Sequence, residues 1–291
     1  MLVLLIDLTM QNSDVEDTIF PSNYSIIAGD KLIDLSTPLV MGIVNVTPDS
    51  FYSGSRSESV NEILTRVNDM LNNGASILDI GGYSSRPGAT DISIEDEIAR
   101  IQPAINAISK EFPDAIISID TFRSEVAKTA IEEGAQMIND ISGFGIDPKI
   151  ADVAGYYGIP YILMHIQGTP QNMQENVEYN NLFGDISKYF SKKIKILESK
   201  GVKDIILDPG FGFSKTIDQN YELLDCLEHF RFLERPILAG LSRKSMIYKK
   251  LGITPEESLE GTIALNKIAL LKGAKILRVH DVKEAVELIV R

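Results

Sequence analysis

Asp204-Ile205-Ile206-Leu207-Asp208-Pro209-Gly210-Phe211-Gly212-Phe213 is the stretch on which the fold is read. A short run of consecutive apolar residues belongs to a strand covered on both faces. It ends at a carboxylate and runs into a glycine-rich loop. The same pattern of apolar run, loop and helix-period segment recurs eight times. The strands expected are Val40–Val46, Ser76–Ile80, Ala115–Ile119, Gln136–Asn139, Pro160–Met164, Asp204–Leu207, Pro236–Ala239 and Lys275–Val279. Helices are expected between and after them, at about 58–72, 94–110, 123–133, 148–157, 181–200, 217–228, 255–272 and 281–290. Thr254-Pro255-Glu256-Glu257 reads as a capping box with proline in the first turn, and Ser93-Ile94-Glu95-Asp96 as a weaker helix start. Doubly covered strands alternating with helices form a parallel sheet. Eight units fit a closed (β/α)8 TIM barrel better than the alternative, an open doubly wound sheet.

Working outward, Tyr24 to Ser36 holds two short apolar stretches around Ala28-Gly29-Asp30, which predicts a β-hairpin ahead of the barrel. The expected organisation is an N-terminal extension over residues 1–23 and one barrel domain over 24–291. The opening Met1-Leu2-Val3-Leu4-Leu5-Ile6 is too short to span a membrane and meets Asp7 at once. No membrane association is expected, and the chain reads as cytoplasmic.

Composition narrows the function classes. The 291 residues are 44% hydrophobic with a net charge of −13, so a nucleic-acid partner, which calls for a basic face, is not expected. The single cysteine, Cys226, rules out an internal disulfide framework and reads as a packing residue. Three histidines, His165, His229 and His280, lack zinc-ligand spacing.

The polar residues at the strand ends carry the functional reading. In chain order they are Asn45, Asp79, Asp120, Asn139-Asp140, His165, Asp208, Ser242-Arg243-Lys244-Ser245 and Arg278-Val279-His280-Asp281. In a barrel all of them share the carboxyl-terminal rim, where barrel enzymes build their sites. Taken singly, each reads as a helix cap or loop hydrogen bond. Caps do not explain basic groups on several loops facing carboxylates on others. Asp120, Asn139 and Asp208 suit a flat heterocycle with an amino-amide edge. Arg86, Arg278 and His280, with Asn45 and Ser85, suit an anion such as a diphosphate. Asn45 can offer an oxygen to Mg2+, which binds substrate phosphates through few protein ligands. His165, on an apolar strand, reads equally as a wall residue or a catalytic one. No phosphate-loop or Rossmann fingerprint is present, and Ser242 and Ser245 have no His–Asp pairing that would mark a nucleophile.

Seven segments together resemble the dihydropteroate synthase family: Asn45-Val46-Thr47-Pro48-Asp49-Ser50-Phe51, Gly81-Gly82-Tyr83-Ser84-Ser85-Arg86-Pro87-Gly88, Ser118-Ile119-Asp120-Thr121, Ile138-Asn139-Asp140, Asp208 through Phe213, Ser242 through Ser245, and Arg278 through Asp281. The likeness runs from about Tyr24 to the C-terminus. It implies a transferase of folate biosynthesis that joins 6-hydroxymethyl-7,8-dihydropterin diphosphate to p-aminobenzoate. By resemblance, Asp120, Asn139, Asp208 and Lys244 hold the pterin, with Arg278 stacked on it. Asn45, Arg86, Arg278 and His280 hold the diphosphate, Asn45 through Mg2+. Phe51, Ser85, Pro87, Phe213, Lys244 and Ser245 shape the p-aminobenzoate site. Asp120, Lys244, Arg278 and His280 stand as the catalytic set. The family implies an SN1-like loss of diphosphate, mobile first and second loops, sulfonamide inhibitors as ligands, and a homodimer.

The chain departs from the commonest family pattern at several places. Tyr83 replaces a frequent glutamate, Ser85 a threonine and Ser214 a glycine, and Tyr52-Ser53-Gly54-Ser55 differs from the usual aspartate- and glycine-rich stretch. Two other readings compete with this one. A methyltetrahydrofolate:corrinoid methyltransferase shares the pterin-binding carboxylates but needs no diphosphate cluster. A non-catalytic pterin-binding paralogue would have lost Asn45, Asp120, Lys244 or Arg278, and all four are present.

Overall fold

The computed structural model describes residues 24–46, 56–84, 91–169, 173 and 177–290, with the backbone alone at 56–59. A hairpin of β1 (Ser25–Ala28) and β2 (Lys31–Asp34) precedes the barrel. The barrel strands are β3 (Leu39–Asn45), β4 (Ile77–Gly81), β5 (Ile116–Asp120), β6 (Met137–Asp140), β7 (Tyr161–Met164), β8 (Ile205–Asp208), β9 (Leu238–Ala239) and β10 (Ile276–Val279). Their order is β8-β7-β6-β5-β4-β3-β10-β9, and every pair is parallel. A parallel bridge between Leu207 and Ile237, with the Leu207 N–H donating to Pro236 O at 2.9 Å, closes the circle. The closed barrel is therefore the fold, and the open sheet is excluded.

Two cores divide the interior. The larger lies between the strands and the surrounding helices, and includes Val44, Leu78, Ile117, Ile138, Leu163, Leu207 and Leu277 on the strands. The smaller fills the amino-terminal end of the barrel. There Met41, Ile77, Met137, Ile162, Ile206, Leu238 and Ile276 meet, with Ile116 packed beside them, so each of the eight strands contributes one residue. Ile26, Ala28, Ile33 and Leu35 of the hairpin seal this layer from below. The Ile27 N–H fixes the hairpin by donating to Asp204 Oδ2 at 2.9 Å. One end of the barrel is thus stoppered with hydrocarbon, and only the carboxyl ends of the strands are left for polar groups.

The helices are α1 (Arg56–Asn72), α2 (Ile94–Glu111), α3 (Ser124–Glu132), α4 (Lys149–Tyr157), α5 (Leu182–Ser199), α6 (Ile217–Asp225), α7 (Ser245–Leu251), α8 (Leu259–Leu271) and α9 (Val282–Val290). Three differences from the expected helices have local causes. The helix expected over 255–272 is a 3-10 turn (Glu256–Ser258) followed by α8. The Ser258 hydroxyl donates to Pro255 O at 2.6 Å, a side-chain bond that competes with a regular helical ladder. The helix expected over 217–228 stops at Asp225 and continues as a 3-10 turn (Leu227–Leu233), ended by Glu234 at φ 53°. The short α7 follows Lys244 directly and has no counterpart among the expected helices. The expected capping box forms: Glu257 Oε2 accepts the Thr254 N–H at 2.9 Å, and Thr254 Oγ1 accepts the Glu257 N–H at 3.4 Å. Ser93 caps α2 through Asp96 N at 3.0 Å. Among the described residues no helix is long and apolar enough to cross a membrane.

The helical ring is tightly packed where α4 meets the end of α5. A Cβ at Gly155 would lie 1.9 Å from Lys200 O, a backbone atom that cannot swing aside. Gly155→Ala is expected to destabilise the fold by about 1–3 kcal/mol. A thermal melt reads this as a loss of several degrees, and an unchanged midpoint would contradict the packing.

Candidate active site

Strand register brings the polar residues together. Asn45 pairs with Gly81, Gly81 with Asp120, and Asp120 with Asn139, so four adjacent strands place these residues in one row at the rim. Laterally paired residues in a sheet share a face. Asp79 stands two residues before Gly81 on that face, one layer deeper. Asp208 ends β8 beside Met164. Arg278 rises from β10 on the far side of β3 from Asp79.

Arg278 spans two carboxylates. Its Nε donates to Asp79 Oδ2 at 2.6 Å and its Nη2 to Asp120 Oδ2 at 2.5 Å. Asn139 Nδ2 donates to the same Asp79 oxygen at 2.8 Å. Asp79 is fully buried, whereas the side chains of Arg278 and Asp120 remain 18% and 20% exposed. Burial works against the Arg278 charge, but Asp79 and Asp120 outweigh it and raise the guanidinium's pKa. Burial pushes the Asp120 carboxyl up to about 7; Arg278 opposes this and the Asp79 charge reinforces it. Asp79 Oδ1 and Asn139 Oδ1 are buried without a hydrogen-bond partner among the described residues. Two acceptors thus stand at and just below the row, ready for the donors of a ligand.

Across the barrel mouth, Asp208 Oδ1 accepts the Gly210 N–H at 2.7 Å, and burial raises its pKa. Lys244 Nζ lies 4.1 Å from the centre of the Phe213 ring, a cation–π contact. Burial and the Arg278 charge lower its pKa to about 8, against the pull of Asp208 and Asp120. Gly212, at φ 80°, leaves room for that lysine: a Cβ there would sit 3.0 Å from Lys244 Cδ. Ser245 opens α7 immediately after Lys244. His280 is exposed at the rim. Its backbone N–H donates to Ser242 Oγ at 3.2 Å, and its Nδ1 lies 3.0 Å from the same oxygen. Partial desolvation and the neighbouring Arg278 keep its pKa lowered, so the ring is neutral at pH 7. A neutral ring that accepts the Ser242 hydroxyl at Nδ1 carries its proton on Nε2, a donor suited to an anion. Arg243, at φ 53°, grips Asp281 bidentately at 2.8 and 3.0 Å and braces this loop.

The structure therefore brings Asp120, Asn139, Asp208, Phe213, Lys244, Ser245, Arg278 and His280 to one end of the barrel, with Asn45 half-buried at the end of β3. Phe51, Ser85, Arg86 and Pro87 lie outside the described residues. Asp79, counted in the sequence among the rim residues but given no specific role, instead stands one layer below the rim, because Gly81 is the residue of β4 level with Asn45 and Asp120. Sequence reasoning also passed over Lys215, which is 3% exposed. Burial lowers that ammonium's pKa to about 7, with Asp208 opposing and Lys244 adding to the fall. His165 is 2% exposed, packs edge-on to Tyr189 and has Nδ1 3.1 Å from Lys215 Nζ. Tyr83, at a position where the family often has glutamate, stacks edge-on to Phe122 at 5.0 Å, with the Arg123 guanidinium 5.2 Å from its ring. Cys226 caps α6, and burial raises its pKa to about 11, so its thiol stays neutral.

Among the described residues no group of three or more His, Cys, Asp or Glu could by itself hold a metal. The Asn45 amide oxygen is a hard, neutral donor at the rim. It fits Mg2+ in the manner of an ion held mainly by phosphate oxygens and water.

Fold and site define a barrel enzyme whose pocket presents acceptors to a heterocycle and cations to an anion. The chain belongs to the pterin binding enzyme family, whose model matches residues 41–280, and within it to the dihydropteroate synthases. It is 44% identical over 257 residues to dihydropteroate synthase of Escherichia coli, covering 88% of this chain and 90% of the relative. It is 46% identical over 248 residues to the Clostridium beijerinckii enzyme, covering 84% and 89%. The Yersinia pestis dihydropteroate synthase, solved in complex with a sulfonamide drug, superposes with a TM-score of 0.86 at 40% identity, over 92% of this chain and 97% of that one. The Xanthomonas albilineans enzyme, solved with 4-aminobenzoic acid, gives 0.85 at 35% identity, over 92% and 96%.

The charge arrangement predicts where Asp120 titrates. Its folded pKa is raised from 3.8 to about 7. Its titration therefore favours the folded state fully below pH 4, and that contribution is lost as pH rises through 7. Carboxyl-carbon NMR of the ligand-free protein should place the Asp120 midpoint nearer 7 than 4, and Asp79→Asn should lower it by removing a like charge. A midpoint near 4 that ignores Asp79→Asn would contradict the shared-arginine geometry.

Proposed function

We propose that this chain condenses 6-hydroxymethyl-7,8-dihydropterin diphosphate with p-aminobenzoate, giving 7,8-dihydropteroate and diphosphate. The observation that carries this is the Asp79–Arg278–Asp120 cluster joined by Asn139, with the buried Asp79 Oδ1 and Asn139 Oδ1 left as unpartnered acceptors among the described residues and Asp208 across the barrel mouth. The amino-amide edge of a pterin supplies the matching donors, and the Arg278 plane supports its ring.

The residues divide the work. Asp120, Asn139, Asp208 and Lys244 orient the pterin. Arg86, Arg278 and His280 take the diphosphate oxygens as the bond from the exocyclic methylene carbon to oxygen breaks. The carbon left electron-poor has its charge spread over the ring, with the Asp120 and Asp79 carboxylates beneath it. The p-aminobenzoate nitrogen then forms the new bond to that carbon and gives up a proton. Phe51, Ser85, Pro87, Phe213, Lys244 and Ser245 seat the aminobenzoate; the first two loops exclude water from the cation. Asn45 would hold Mg2+ against the leaving group, and the ion, when bound, neutralises diphosphate charge. Sulfonamides are expected at the aminobenzoate position; the Yersinia pestis relative was solved in complex with a sulfonamide drug. A cytoplasmic homodimer is the assembly that the family likeness supports.

The assay is diphosphate release by purified protein given the pterin diphosphate and Mg2+, with and without p-aminobenzoate. Release matched by dihydropteroate formation is expected. A folded protein that binds the pterin and releases nothing would point to a non-catalytic paralogue or a methyltransferase. Lys244→Ala and Asp120→Asn are each expected to lower turnover by about a hundredfold or more with the fold intact, as circular dichroism would show. Near wild-type rates in either variant would remove the role assigned to it.

A further inference from the structure

Three residues outside the assigned set join the loops that follow β7 and β8. The β7 loop runs through His165 and Gln167; the β8 loop runs from Pro209 to Thr216. Lys215 turns its ammonium back beneath its own loop. Nζ lies 3.1 Å from Gly210 O, 3.0 Å from Phe213 O and 3.1 Å from His165 Nδ1. An ammonium has three N–H donors, and all three are used. Two of them hold the carbonyls that bracket the Gly210–Phe213 turn, and the third reaches the neighbouring loop. His165 is held neutral by burial and by the Lys215 charge, so its Nδ1 is free to accept.

Ser214 adds a second tie. Its hydroxyl donates to Gln167 O and accepts the Gln167 N–H, both at 2.8 Å. The residue is fully buried and sits at φ 51°, in the left-handed region where glycine is the easier choice. A serine in that conformation carries a backbone cost that a glycine avoids, and the two bonds to Gln167 are what its side chain returns. The approach of the loops is close: a Cβ at Gly210, itself at φ 75°, would fall 2.2 Å from His165 O. Phe213, between the two ties, has its ring beneath Lys244 Nζ and packs on the apolar wall of Phe122, Ile141, Met164, Ile166 and Met173.

We propose that Ser214, Lys215 and His165 form a clasp that fixes the β8 loop against the β7 loop and so sets the position of Phe213 for the aminobenzoate. The proposal rests on the dihydropteroate synthase reading of the site. The three are positioning residues; none belongs to the groups assigned to the pterin or the diphosphate. Loosening the clasp should therefore weaken aminobenzoate recognition selectively.

Ser214→Gly tests this with little risk to folding, since glycine accepts the backbone angle and only the hydroxyl is lost. The KM for p-aminobenzoate should rise about three- to tenfold, the effect of losing one or two hydrogen bonds. Both kcat and the affinity for the pterin diphosphate should stay within about twofold. Amide exchange should quicken in peptides covering 161–169 and 205–216 and be unchanged elsewhere. Lys215→Met, checked for folding by its melt, should raise the same KM further. Wild-type turnover with an unchanged aminobenzoate KM and unchanged exchange in Ser214→Gly would overturn the clasp alone. A fall in kcat and pterin affinity equal to the rise in KM would reduce it to general stability. A wild-type protein with neither turnover nor aminobenzoate binding would overturn the functional reading and the clasp with it.

Discussion

The site depends on one buried ion cluster, Asp79–Arg278–Asp120. A fully buried carboxylate is tolerated only when paired and hydrogen-bonded, and Asp79 receives both Arg278 Nε and Asn139 Nδ2 on one oxygen. Such a cluster adds little net stability, because desolvation offsets most of the attraction; removing one partner costs about 3–5 kcal/mol. Its value is positional. The arginine, held through Nε by Asp79 and through Nη2 by Asp120, ties β10 to β4 and β5. Everything assigned to pterin or diphosphate is measured from that guanidinium. The hairpin below makes this possible: with the amino-terminal end of the barrel filled by hydrocarbon, the charges have only one end to occupy.

The same cluster explains the tuning of its neighbours. Arg278 helps to keep Lys244 and His280 at lowered pKa, while Asp79 helps to raise Asp120. Asp120 and Lys244, with pKa values of about 7 and about 8, change protonation readily when an anion arrives. In a chain of net charge −13, Arg278 and Lys244 nevertheless stand together at this end of the barrel, where the charge of the first lowers the pKa of the second.

Much of this was legible in the sequence because barrel geometry is periodic. Eight apolar runs fixed the strands to within a residue or two, and their polar ends named Asp120, Asn139, Asp208, Lys244, Arg278 and His280 as neighbours. What stayed hidden lies off that period. Asp79 is one layer down, where a carboxylate in an apolar run gives no sign of its partner 199 residues away. The 3-10 turn before α8 is held at Pro255 O by both the Ser258 N–H and the Ser258 hydroxyl, which the sequence pattern does not show, and α7 is too short for its periodicity to show. Ser214 read as a departure from a familiar pattern; only its backbone angle and its two bonds to Gln167 give it a purpose.

The most direct measurement is the affinity for the pterin diphosphate, with the matching kcat/KM, in Arg278→Lys. Lysine keeps the charge but is a point donor that cannot span Asp79 and Asp120 together. If the planar bridge organises the site, affinity should fall at least about tenfold and kcat/KM about a hundredfold, in a protein that still folds. Values within twofold of wild type would show that charge alone suffices and that the bridge does not organise the site.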